Sequence, residues 1–116
     1  MNNLAKMNIL PYRESKTPLT EVEIEAYLET LAGWKIVERD EVPRLEKSFP
    51  FDSFRGAVSF TNQVADQAEE ADHHPAILVT AKRAAVSWST HYFKRLHQND
   101  FIMAARTELL FRELND

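Results

Sequence analysis

The sequence predicts an α+β fold: a four-stranded, largely antiparallel sheet with three helices on one face, in the order α-β-β-α-β-β-α. Three observations lead there. Thr20 and Glu23 form a capping-box pair in front of apolar residues at helical spacing. Two pairs of short segments alternate apolar with polar residues, as half-buried strands do. A helical stripe follows each pair, one after Asp52 and one after Asn99-Asp100. The 116 residues suit one domain, whose folding removes roughly two-thirds of the unfolded chain's surface from water.

Residues 1–18 mix Asn, Lys, Pro and Ser without periodicity, which predicts an extended or mobile N-terminal arm ahead of a single domain over 19–116. In the first helix Ile24, Tyr27, Leu28 and Leu31 recur on one side until Gly33 supplies a stop. Trp34 to Glu38 reads as a strand, and Arg39 to Arg44, which includes Pro43, as a turn. Leu45, Lys47, Phe49 and Phe51 alternate in a second strand, with Pro50 marking an edge or a strand end. Asp52 is the candidate N-cap of a long helix with the stripe Phe54, Ala57, Val58, Thr61, Val64, Ala65, Ala68 and Ala71.

That helix runs into Asp72-His73-His74-Pro75, and the proline disfavours the α region for His74, so the histidines sit at a helix-to-strand corner. Beyond it, Ile77, Val79 and Ala81, then Ala84, Val86 and Trp88, form a hairpin pattern around Lys82-Arg83. A register with Ala81 opposite Ala84 faces Val79 with Val86 and Ile77 with Trp88, and sets His74 opposite His91. Three of the four histidines then meet at one sheet end, an outcome that depends on register. Residues 92–98 read as irregular or a short helical turn. The last helix carries Ile102, Ala105 and Leu109, with Met103 and Leu110 alongside.

Composition narrows the function. A formal net charge of −4 with scattered basic residues disfavours direct nucleic-acid binding, which needs a basic face to neutralise phosphates. The absence of cysteine rules out disulfides and thiolate metal sites. Neither a secretory h-region nor an apolar run of the ~20 residues that span a bilayer is present, so no membrane association is expected and a cytoplasmic location is.

Histidine gives and accepts a proton near neutrality, so a cluster of them suits a reaction needing both an acid and a base. Glu69, one helical turn before His73, and the adjoining Asp72 are the carboxylates placed to orient a ring nitrogen; Ser89 and Thr90 bring hydroxyls beside His91. A histidine at a helix C-terminus also simply complements the helix dipole, and His97, at a polar turn, reads as solvated surface. Zinc is the competing reading, with His73, His74, His91 and Asp72 or Glu69 as ligands, but adjacent histidines on extended chain point apart and no HExxH helix exists. No metal site is expected.

The run Glu69-x-x-x-His73-His74-Pro75, then Ser89-Thr90-His91 and Asp100 at the start of a final helix, resembles the signature of the pterin-4a-carbinolamine dehydratases, also described as dimerisation cofactors of a homeodomain transcription factor. The similarity covers roughly residues 19–114, including the leading helix that ends in Gly33-Trp34 and the Phe-rich second strand. It implies dehydration of 4a-hydroxytetrahydropterin to quinonoid dihydropterin without metal or organic cofactor. It also implies homodimers or homotetramers, and a place in tetrahydrobiopterin recycling beside an aromatic amino acid hydroxylase. Carried over by position, His73, His74 and His91 are the catalytic and pterin-contacting histidines. Glu69 and Asp72 are supporting carboxylates, and Ser89, Thr90 and Tyr92 line the substrate site. We assign His73 and His91 to the acid/base pair and His74 to orientation. The chain departs from the pattern at Ala81, where an aromatic is expected, and at Asn99, where an arginine often precedes the aspartate. The alternatives are a non-catalytic binding or coactivator module acting through its oligomer interface, and a related role in molybdopterin metabolism.

Overall fold

Thr20 accepts from the Glu23 amide at 3.2 Å while the Glu23 carboxylate accepts from the Thr20 amide at 3.0 Å, so the predicted capping box opens the first helix, α1 (Glu21–Glu29). The computed structural model describes residues 4–10, 19–90 and 94–115. After α1 come β1 (Lys35–Arg39), β2 (Val42–Pro50), α2 (Phe54–Ala71), β3 (Ala76–Thr80), β4 (Arg83–Trp88) and α3 (Gln98–Leu114). The sheet is antiparallel throughout with strand order β1-β2-β4-β3, and the three helices pack on its inner face. Among the described residues no helix is long and apolar enough to cross a membrane.

Several boundaries differ from expectation for identifiable reasons. The β1–β2 turn is only Asp40-Glu41, both at positive φ (53° and 65°), the backbone that a two-residue hairpin demands. Pro43 therefore lies inside β2, opposite Glu38, before β4 joins at Leu45, where its missing N–H removes no ladder bond. The N-cap of α2 is Ser53, whose hydroxyl accepts from the Gly56 amide at 3.0 Å, not Asp52. The buried stripe of α2 is Ala57, Phe60, Val64 and Ala68. Phe60 is fully buried among Phe49, Phe51 and Phe111, with centroids 5.0–6.0 Å from it, whereas Phe54 is 56% exposed.

The β3–β4 register is shifted two residues from the expected one: Val79 pairs with Ala84, Ile77 with Val86, and Ala76 with Ser87, leaving Ala81-Lys82 as the turn. Arg83 is drawn into the strand because its guanidinium donates to the Ser48 hydroxyl (2.8 Å) and carbonyl (3.2 Å) on β2, while the Lys82 carbonyl accepts from the Phe51 amide at 2.8 Å. A two-residue shift keeps every side chain on its expected face, so Ile77, Val79, Ala84, Val86 and Trp88 still point inward. It does not keep His74 opposite His91: continued past its last pair, this register sets His74 level with Ser89. His91 and Tyr92 lie outside the described residues.

The N-cap of α3 is His97, so Asn99 and Asp100 stand within its first turn rather than capping it. From Phe101 to Ala105 the helix is buried all round, because residues 4–10, expected as arm, run along it with Leu4 in the core. Arg106 donates to the carbonyls of Ala5 (3.2 Å) and Met7 (2.8 Å). Leu109, expected in the stripe, is exposed. At the far end of α3, Glu108 accepts from the Trp34 indole at 2.9 Å and pairs with Lys47.

Phe60→Ala should cost about 3–5 kcal/mol of stability in urea unfolding, and Phe54→Ala less than about 1 kcal/mol; similar losses would contradict this packing. Asp72 sits at φ 50°, in the left-handed region, as the cap residue of α2. Asp72→Gly should therefore leave the urea midpoint unchanged or raise it, and Asp72→Val should lower stability by about 1–2 kcal/mol.

Candidate functional site

The end of α2 aims His73. With Asp72 left-handed, the Asp72 amide donates to the Glu69 carbonyl (3.3 Å) and the His73 amide to the Ala68 carbonyl (3.1 Å), the paired bonds of a Schellman ending. Residues 73–75 link this corner to β3, and Pro75, which disfavours the α region for His74, prevents the helix from resuming. Consecutive extended residues face opposite ways, and the two histidines divide accordingly. His73 turns inward, only 4% exposed, its ring stacked on Trp88 at 5.7 Å and 12°. His74 turns outward, its side chain 55% exposed, with Nε2 3.3 Å from the Glu69 carboxylate.

His73 meets a carboxylate that sequence reasoning did not assign to it. Its Nε2 lies 2.7 Å from Asp100 Oδ1 on α3, and Asp100 has no exposed surface. The other oxygen, Oδ2, accepts from the Thr90 hydroxyl at 2.8 Å and from the His97 amide at 2.9 Å. The assignment that satisfies all three contacts is an acceptor carboxylate with a proton on His73 Nε2. Trp88, under the ring, is itself pinned, since its indole donates to the Thr107 hydroxyl at 3.1 Å.

Three elements thus converge: the α2–β3 corner with His73, the end of β4 with Trp88, Ser89 and Thr90, and the first turn of α3 with Asp100. Of the expected residues, His73, Ser89 and Thr90 are buried here. Glu69 reaches His74 rather than His73, and Asp72 serves as an exposed helix cap. Ala81 is in the β3–β4 turn, while the Asn99 amide pairs with the Leu10 backbone, donating at 2.7 Å and accepting at 2.9 Å. Among the described residues no three His, Cys, Asp or Glu side chains gather as metal ligands would.

His97, expected as solvated surface, is 1% exposed, and its Nδ1 accepts from the Asn99 amide at 3.0 Å. Burial holds its imidazole below the ordinary value; the Asp100 charge acts upward against this, and His73 acts downward. The one trace of this arrangement in the sequence is the spacing His97-x-x-Asp100, a capping box with histidine in the place usually held by Ser or Thr.

Residues 17–110 match the family model described as Pterin 4 alpha carbinolamine dehydratase. A relative from Microcystis aeruginosa, provisionally named a pterin-4-alpha-carbinolamine dehydratase, is 44% identical over 115 residues, covering 99% of both chains. The crystal structure of a transcriptional coactivator/pterin dehydratase from Brucella melitensis superposes with a TM-score of 0.72 at 32% identity, covering 81% of this chain and 98% of that one. A pterin dehydratase-like protein identified as a RuBisCO assembly factor in the alpha-carboxysome shares the fold, with a TM-score of 0.58 at 24% identity over 68% of this chain and 89% of its own. By the extent of the model match and the identity over nearly its whole length, the chain belongs to the pterin-4a-carbinolamine dehydratase family.

Proposed function

We propose that this protein dehydrates 4a-hydroxytetrahydropterin to quinonoid dihydropterin and water by histidine acid/base catalysis, without metal or organic cofactor. The observation that carries the reading is His73: a buried imidazole, stacked on Trp88 and held through Nε2 by Asp100. Dehydration breaks the C4a–O bond. The departing hydroxyl takes up one proton, the ring system gives one up, and no electrons are exchanged. Such a reaction needs a proton donor and acceptor of fixed orientation, worth on the order of 10²–10⁴ in rate for each group. Asp100 fixes the orientation of the His73 ring, which fits it for one of these roles.

His91 is the second member of the proposed acid/base pair, and the exposed His74, beside Glu69, binds and orients the pterin. Ser89, Thr90 and Tyr92 line the substrate site, with Asp72 as a further supporting carboxylate. The physiological setting proposed is cytoplasmic tetrahydrobiopterin recycling beside an aromatic amino acid hydroxylase, as a homodimer or homotetramer. A coactivator role through the oligomer interface is the second reading, favoured by the double description of the Brucella melitensis relative.

Rates of 4a-hydroxytetrahydropterin dehydration are the test. His73→Ala and His91→Ala should each lower the protein-catalysed rate by about 10²–10⁴. Asp100→Asn should lower it roughly tenfold or more, because the ring loses its orienting carboxylate. Equal rates with and without the wild-type protein would sink the enzymatic reading and favour the coactivator one. A rate that survives replacement of His73, His74 and His91 would leave the activity standing and overturn the site.

A further inference from the structure

His97 brackets Asp100. Its backbone amide donates to Asp100 Oδ2 at 2.9 Å, its carbonyl accepts from the Asp100 amide at 2.9 Å, and its Nδ1 accepts from the Asn99 amide at 3.0 Å. The usual capping side chains, Ser, Thr, Asp and Asn, keep an acceptor oxygen throughout the neutral range. Histidine does not. A proton on Nδ1 turns the acceptor into a donor facing the Asn99 N–H, and two N–H groups cannot share that contact.

We infer that His97 is a positioning residue that makes the Asp100–His73 pair acid-labile: the first turn of α3 holds Asp100 against His73 only while His97 Nδ1 is unprotonated. Among the described residues, the titratable groups acting on His97 are Asp100, on its own helix, and His73, from the α2–β3 corner. Asp100 favours the proton, while burial and His73 oppose it, and burial is the largest influence. The imidazole therefore binds a proton less readily folded than unfolded. Its contribution to stability is present in full above the unfolded value of about 6.5 and is lost as pH falls through the lower folded value.

The geometry supplies a second consequence. Asn99, whose amide is the one capped, also holds the N-terminal segment through both of its bonds to Leu10. Release of the cap should therefore loosen residues 4–10 together with Asp100.

The inference leans on the proposed function only for its catalytic meaning, so the test uses no substrate. Urea unfolding of the full chain is followed from pH 8 to pH 5 for wild type, His97→Ser, His97→Asn and His97→Ala. Two-bond ¹H–¹⁵N spectra report the His73 ring, and hydrogen exchange reports the amides of residues 4–10. Ser and Asn cap at every pH and Ala at none. On acidification the folded-to-unfolded ratio of wild type should fall about fivefold further than that of His97→Ser, the ratio expected for one lost cap. The His73 Nε2 signal should move, and residues 4–10 should exchange faster, in wild type before global unfolding, and later in His97→Asn. Parallel acid loss in wild type and both capping variants, or a His73 signal that holds until the chain unfolds, would overturn the inference.

Discussion

A carboxylate with no contact to water must find its hydrogen bonds inside the protein, because removing it from solvent costs several kcal/mol even after the surroundings relax. Asp100 is such a group, and its donors are the His73 ring from the corner after α2, the Thr90 hydroxyl just past β4 and the His97 amide at the start of its own helix. Satisfying it fixes where α3 begins relative to the end of β4 and the corner after α2. The rest of the site follows, since a His73 ring held at Nε2 and stacked on Trp88 has one orientation.

The histidine pair divides its labour for an equally local reason. The left-handed Asp72 ends α2 with the Ala68 and Glu69 carbonyls satisfied, and Pro75 disfavours helical backbone at His74. One ring must then enter the core and the other must face solvent. The corner therefore does not aim both imidazoles into one cavity; it presents one rigid, buried ring and one accessible ring on opposite sides of the backbone.

Toward the β3–β4 turn, Phe49, Phe51, Phe60 and Phe111 and the inward faces of β2 and β4 form a closely packed core. The N-terminal segment completes it by covering the outer side of α3. That is why the first half of α3 shows no clean amphipathic stripe: a helix wrapped on all sides has apolar residues all round.

The sequence by itself determined the element order, the α1 capping box, the inward faces of the strands and the helix-stopping corner at His73-His74-Pro75. All of these rest on interactions within a few residues or on side-chain periodicity. The hairpin register was decided elsewhere, because Arg83 answers to Ser48 and Lys82 to Phe51 on another part of the chain. Likewise Glu69 and Asp72, near His73 in sequence, were the natural candidates to hold it, yet Asp100 does so from 27 residues away. His97 carried no mark of burial, since its polar turn is covered only by the tertiary packing. Periodicity reports which face of an element is buried. Which polar group meets which inside the protein depends on desolvation and on donors brought in from distant segments, and only the tertiary structure decides that.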